Sequence, residues 1–550
     1  MNSPATIAEA LSSAATSSRG LRFVEHDGRT LEASWAATLR DACMVAGALR
    51  SRGLETGSRV ALIVPEVSGF VRAFFGISCA GLVPVPLAPP AQAGDLATFA
   101  RQSGHILDAA RVSAVIASSD VLSLIDLGGI TPAPLLIDLA ALEEGPSLAE
   151  PVAVPLDAVA LLQFTSGSTS MPKGVVLTHR NIAANVAAIH GPAGLHVAPD
   201  DVTVSWLPLY HDMGLIGMLL ASMYFPLDVV LLSPVLFLKR PSSWVDAISR
   251  FGGTVSFAPN FAYDLCVRRV KGPQIGALDL SRWRIAGCGA EPVRPDTLRR
   301  FAAHFAAAGF RPGALLPSYG LAEHSLAVSF AHGGLHADVV DADRLVRDSR
   351  AVPVVNGSAS VRVVRCGRWF PDHAIRIVDD AFQELPERHV GSIVAKGPSV
   401  MQGYFEQPEA TASTLRDGWL VTGDLGYIAD GALHVCGRTK DLIIRQGRKY
   451  HPPDLEWALA DLHGISLSGV VVFGVSRVEE EDEVVAVLET RAARRAHEIE
   501  DAVRRRLRET AGLEIDRVVL TAPGTIPRTT SGKVRRSETR ARLEAGTLVR

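Results

Sequence analysis

The sequence predicts an α/β protein: a large N-terminal domain of two αβ subdomains plus a β-rich subdomain, followed by a small α+β C-terminal domain. Three observations predict it. The 550 residues exceed what one hydrophobic core usually holds. Short β-branched runs alternate with helical patterns through the first half of the chain, a rhythm that argues for layered α/β structure with largely parallel sheets. After about residue 360 helical periodicity becomes scarce and strand-like runs follow one another between Gly and Pro turns.

In chain order, Arg59 to Val64, Val112 to Ala117, Ala158 to Phe164, Val202 to Trp206, Thr254 to Ala258 and Arg284 to Cys288 read as buried strands. Leu215 to Leu238 is apolar and long enough to suggest a membrane span, but Pro226, Pro234 and Asp228 disfavour one. It reads instead as a buried helix, a turn at Pro226 and the strand Asp228 to Leu232. His373 to Val378, Gly391 to Ala395, Trp419 to Thr422 and Ala432 to Val435 form the β-rich part, about 361–437. Val470 to Val475, Glu483 to Leu488, an Arg-rich helix over Ala492 to Glu509 and Arg517 to Leu520 make the last domain. Glu498, Glu500 and Asp501 interrupt that helix's basic run, which suits a solvated face better than a nucleic-acid surface.

Composition excludes several classes. Hydrophobic residues make up 47% and charged residues 21%, the balance of a globular protein. A formal net charge of -3 gives no reason to expect nucleic acid or an anionic membrane as main partner. The six cysteines are scattered without a Cys-x-x-Cys pair, so reduced thiols in a cytoplasmic protein are expected rather than a zinc site or disulfides. The Ser- and Ala-rich start has no basic, apolar leader pattern.

The most informative segment is Leu161 to Ile182. A buried strand runs into Thr165, Ser166, Gly167, Ser168, Thr169 and Ser170; Met171, Pro172, Lys173 and Gly174 follow, then a second strand, Val175 to Leu177. Hydroxyls, a close-approaching Gly and a Lys can together surround a polyphosphate. The loop is not a Walker motif, because Pro172 precedes the Lys and a strand, not a helix, follows.

This string resembles the signature phosphate loop of the acyl-adenylate-forming superfamily, which includes acyl-CoA synthetases, amino-acid adenylation domains and insect luciferases. WLPLYHDMGLIG (Trp206 to Gly217), GCGAEPV (Gly287 to Val293), PSYGLAEH (Pro317 to His324), DGWLVTGDLGY (Asp417 to Tyr427), GRTKDLI (Gly437 to Ile443) and TIPRTTSGKVRR (Thr525 to Arg536) match in order over nearly the whole chain. The resemblance implies an AMP-binding domain over 1–437, a hinge at 438–441 and a mobile lid over 442–550. It implies ATP and Mg²⁺, with Lys533 as the catalytic lysine, Glu323 and Thr169 at the metal, and His211 beside the reacting carboxylate. Thr165, Ser166, Gly167, Ser168, Thr169 and Lys173 would hold phosphates. Ser318, Tyr319 and Gly320 would lie on one side of the adenine and Gly289, Ala290 and Glu291 on the other. Asp424 would take the ribose hydroxyls, Arg438 would reach ribose or phosphate, and Lys440 would be the hinge. Attack of a carboxylate on the α-phosphate brings anions together, so positioning and cationic stabilisation must carry the catalysis.

Within the superfamily the chain is most similar to fatty acyl-AMP ligases, through YHDMGLIG, FLKRPSSW (Phe237 to Trp244), PSYGLAEHSLAV and GRKYHPPDLE (Gly447 to Glu456). His332 to Cys366 resembles the insertion that restrains domain movement in that branch and disfavours CoA. The implied partners are a fatty acid and an acyl carrier protein of a polyketide or non-ribosomal peptide pathway; CoA is the alternative acceptor. Lys449, the Tyr450-His451 order and His324 depart from the branch's usual pattern. Met213, Gly214, Phe257, Asn260 and Tyr263 are expected around the acyl chain. A luciferase-like oxidase of the adenylate and an inactive nucleotide-binding homologue are the competing classes.

Overall fold

The computed structural model describes residues 5–90, 96–143, 145–165, 172–354, 359–445, 448–459, 462, 469–475, 483–491, 495–529 and 533–548. Among these a 15-stranded sheet dominates. One side of it is parallel: Gly20–Val24, Asp228–Leu232, Val202–Ser205, Val255–Ala258, Ile285–Cys288 and Leu315–Gly320 run side by side. The four inner strands, Asp228–Leu232 to Ile285–Cys288, are buried along almost their whole length, as parallel strands inside a sheet usually are. The other side is antiparallel and contains Ala327–Phe330, Ser360–Trp369, Ala432–Arg438, Trp419–Ala429, Gly391–Lys396 and Ala374–Val378.

The strand Ala327–Phe330 turns back on Leu315–Gly320 and pairs with Ser360–Trp369. It therefore fuses the two halves into one ladder, so the β-rich segment continues the sheet of the parallel strands. A second, four-stranded sheet is parallel throughout, in the order Val83–Pro86, Arg59–Ile63, Ala114–Ala117, Leu135–Asp138. Among the largely parallel strands of the first half Val159–Thr165 is an exception, forming an antiparallel hairpin with Lys173–Thr178. Seven residues between the two strands leave no room for the long crossover a parallel pair requires.

The apolar stretch after residue 212 folds as expected. Met213–Leu220 is a π-helix that runs into Ala221–Tyr224, and Pro226 precedes the strand Asp228–Leu232. No helix among the described residues is long and apolar enough to cross a membrane. All six cysteines are buried and free.

The chain beyond residue 442 has its own core around Ile443, Tyr450, Leu455, Val472, Val484 and Val503. Val470–Val475, Glu483–Glu489 and Arg517–Thr521 form its sheet, and the helix Ala496–Ala511 packs its apolar stripe on it. Within the stretch resembling an insertion, Ala337–Asp341 pairs with Ser360–Trp369 and is followed by the helix Ala342–Asp348. Val346 of that helix packs on the C-terminal core, and Asp343 lies 3.5 Å from Arg448.

Candidate functional site

A single cleft of about 860 Å³ collects most of the residues singled out above. Thr165 ends one strand of the hairpin and Lys173 begins the other, in direct register. Ser166, Gly167, Ser168 and Thr169, the rest of the candidate phosphate cradle, lie outside the described residues. Lys173 sits with Nζ 4.6 Å from the centre of the Tyr404 ring, and the Tyr404 hydroxyl donates to Glu323 Oε1 at 2.8 Å. A cation, an aromatic ring and a carboxylate thus stand in line beside the loop's two ends. No cluster of three or more His, Cys, Asp or Glu side chains able to hold a metal occurs among the described residues. The donor set suits an ion that takes one carboxylate and completes its shell with phosphate and water oxygens, as Mg²⁺ does.

Asp424 and Arg438 face each other across the pair Trp419–Ala429 and Ala432–Arg438, because antiparallel register places them opposite. Their charged ends are 3.2 Å apart, and the Tyr319 hydroxyl donates to the other Asp424 oxygen at 2.7 Å. Burial raises the Asp424 carboxyl above its usual range, and Arg438 and the Tyr319 hydroxyl oppose that rise. Burial, then the neighbouring Asp424 charge, hold the Tyr319 hydroxyl well above its ordinary value, so it remains a donor. Ser318, Gly320, Ala290 and Glu291 line the same wall. Gly289 lies behind it, where a Cβ would come within 2.4 Å of Ser318 Oγ. Ala290 takes φ +68, an uncommon value for a residue with a side chain.

Lys533 enters the cleft from the chain beyond residue 442. Its backbone is clasped by Thr529: the Thr529 amide donates to Lys533 O at 2.7 Å, and the Lys533 amide donates to Thr529 Oγ1 at 3.0 Å. Burial lowers the ammonium pKa; Asp212, Glu291 and Asp424 work against that, and Arg438 adds to it. Three residues on, Arg536 pairs with Asp441 and with Glu456 at 2.7 Å and donates to Val472 O at 3.0 Å. Asp441 follows Lys440, which lies in the short turn Thr439–Asp441 and also borders the cleft. His211 is driven down to about 3 by burial and the nearby Lys533 charge, so its ring is neutral.

The apolar arm of the cleft is lined by Ile189, Leu195, Met218, Phe257, Leu326 and Phe330, with Met213 and Asn260 also in its wall. The wider turn of a π-helix puts Met213, Gly217 and Met218 on the cavity side, while Leu215, Ile216 and Leu219 pack into the core. Asn260 organises the adjacent loop, donating to Pro292 O at 2.7 Å and accepting from the Arg294 amide at 3.0 Å.

Two expected acyl residues do not line the cleft. Tyr263 is fully buried, packs edge-on to Trp244 and Phe301, and donates its hydroxyl to Gly287 O at 2.8 Å. Gly214 is a packing glycine, with Pro208 O 2.3 Å from where a Cβ would stand. Tyr263→Phe is expected to cost about 1 kcal/mol of stability by removing that hydrogen bond and to leave acid preference unchanged, as read by denaturant unfolding and an acid panel. Sequence reasoning missed Tyr404 and Asp212. Tyr404 is 81 positions from its partner Glu323, and no local pattern links them.

A family model described as AMP-binding enzyme matches residues 13–405. A putative acyl-CoA synthetase from Caulobacter vibrioides is 40% identical over 551 residues, 98% of this chain and 96% of that protein. The long-chain-fatty-acid–AMP ligase FadD26 of Mycobacterium tuberculosis is 34% identical across 92% of this chain and 90% of its own. A structure from work on fatty acyl-adenylate ligases of E. coli and L. pneumophila superposes with a TM-score of 0.92 at 37% identity, covering 98% of both chains.

Proposed function

Because the chain belongs to the AMP-binding enzyme family, within the acyl-adenylate-forming superfamily, and is an AMP-forming acid ligase, we propose that its acid is a fatty acid and its first product a fatty acyl-AMP. The observation that carries this reading is one cleft with two chemistries: Lys533, Asp424, Tyr319 and Glu323 at one end, and an apolar arm at the other. The acyl chain lies along Met213, Met218, Phe257 and Phe330, and its carboxylate stops beside His211. That carboxylate attacks the α-phosphorus of ATP, the bond from this phosphorus to the bridging oxygen breaks, and pyrophosphate leaves.

Lys533 offsets charge that grows on the phosphoryl oxygens. Asp424 accepts from the ribose hydroxyls, and Tyr319 presents its ring to the adenine. Glu323, with Tyr404 fixing its orientation, would hold Mg²⁺, which supplies neutralisation of the polyphosphate when bound. His211 is neutral and shapes the carboxylate seat without adding charge.

For the second step we propose transfer to an acyl carrier protein. A medium-chain-fatty-acid–[acyl-carrier-protein] ligase of Moorena producens, 33% identical over 90% of this chain, is named for that acceptor, whereas the Caulobacter relative is named for CoA. The contact of the helix Ala342–Asp348 with the C-terminal core favours the carrier, because it would resist the rotation that a thioester step at CoA requires. Val346→Asp places a carboxylate in that contact. Acyl-CoA formation is expected to rise several-fold while pyrophosphate exchange stays within about twofold; unchanged CoA turnover would remove the restraint from the argument.

The reading as a whole is tested by pyrophosphate release across acids from acetate to long-chain and aromatic ones. A preference for benzoates over aliphatic chains would overturn it.

A further inference from the structure

Arg294 and Trp457 meet in the cleft that Lys533 enters. Arg294 follows the segment Gly289 to Glu291 and leads into the helix Pro295–His304. Its amide donates to Asn260 Oδ1 at 3.0 Å, which ties its backbone to the cleft wall. Trp457 belongs to the helix Pro452–Leu459, in the chain beyond residue 442. The central carbon of the Arg294 guanidinium lies over the Trp457 ring, 5.4 Å from its centre, within the range of a cation–π contact. Arg294 Nη1 and Trp457 Nε1 are both buried without a hydrogen-bond partner among the described residues. A buried guanidinium with an unpaired donor is a cost to the fold, so stability alone does not account for an arginine here. Burial draws its pKa down to about 10; Glu456, Glu291 and Asp264 oppose that and Arg536 adds to it, so the cation persists at neutral pH.

The Trp457 side of this contact runs on to Lys533. Glu456, the residue before Trp457, accepts from Arg536 at 2.7 Å and from the Val472 amide at 3.0 Å. Arg536 also pairs with Asp441, and Lys533 stands three residues before it. We propose that Arg294 is a positioning residue for adenylation: its contact with Trp457 docks the helix Pro452–Leu459 against the cleft wall and so, through Glu456 and Arg536, seats the tail that carries Lys533. This rests on the adenylation reading given above. A misplacement of about 1 Å at a reacting group can cost on the order of a hundredfold in rate, so a contact remote from the phosphorus reaches the reaction through alignment. Arg294 is not among the groups assigned to ATP, and its loss should leave ATP binding alone.

ATP–pyrophosphate exchange with a fatty acid and thermal unfolding are measured for wild type, Arg294→Met, Arg294→Lys, Trp457→Leu, the double variant Arg294→Met/Trp457→Leu, and Lys533→Ala. Methionine keeps the packing of the arginine stem and removes the charge. Arg294→Met is expected to lose about tenfold in kcat, with the KM for ATP within about twofold of wild type and the melting temperature no lower. Arg294→Lys keeps a cation for the ring and is expected to recover most of the rate. Trp457→Leu is expected to match Arg294→Met in rate, and the double variant to fall no further than either, because each breaks the same contact. Wild-type exchange in Arg294→Met, with Lys533→Ala inactive, would overturn the inference and leave the adenylation reading standing. Losses that multiply in the double variant, or a fall that lysine does not rescue and that comes with a lower melting temperature, would make the two residues separate structural supports and overturn it too. Exchange that survives Lys533→Ala would instead sink the adenylation reading itself.

Discussion

Lys533→Ala is expected to lower fatty-acid-dependent ATP–pyrophosphate exchange about a thousandfold, ~4 kcal/mol in the barrier. The side chain belongs to no core; it projects from a tail clasped by Thr529 into a cleft shared with Asp424 and Tyr319. Alanine therefore removes a charge without emptying a packed site, and the melting temperature should barely change. Binding of a preformed acyl-adenylate should weaken far less than the rate falls, because the role proposed for the lysine acts on charge that develops during the reaction. Exchange within about threefold of wild type would deny Lys533 that part.

Asp424→Ala is expected to act on ATP binding. It strips a partner from Arg438 and from the Tyr319 hydroxyl at once, and the acceptor proposed for the ribose disappears. With Arg438 largely in water the loss costs about 1–3 kcal/mol, which should appear mainly as a higher KM for ATP. Arg438 is the outward member, with 65% of its side chain exposed against 10% for Asp424, so Arg438→Ala should cost clearly less. Because burial raises the Asp424 carboxyl pKa, acidification should begin to weaken ATP binding above the usual carboxylate range. A KM for ATP unchanged in Asp424→Ala would remove the ribose assignment.

Much of this architecture is legible in the sequence because buried strands are written locally. Val202 to Trp206, Gly391 to Ala395 and Glu483 to Leu488 each announce themselves by β-branched runs, and each forms a strand within a residue or two of the expected ends. Pairing is not written locally. Nothing in Ala327–Phe330 says that it joins two kinds of sheet, and nothing in the hairpin strands says that they run antiparallel except the short distance between them.

The site divides in the same way. Asp424 and Arg438 sit in motifs and come together by register. Tyr263 misleads because an aromatic ring reads alike in a pocket and in a core, and only the bond to Gly287 O distinguishes the two. Arg536 stands in the same motif as Lys533, yet its partners Asp441 and Glu456 are 95 and 80 positions away.

The single ladder through Ala327–Phe330 has a consequence for how such a molecule measures its substrate. The wall holding Tyr319 and Asp424 and the wall holding Phe257 and Phe330 hang from one slab, so under the proposed adenylation the gap between carboxylate and phosphorus would be built in, like the zero mark of a ruler. Acids of every length would be read from that mark, and discrimination among them would fall to the far tip of the apolar arm, where each added methylene is weighed at about 1–3 kcal/mol.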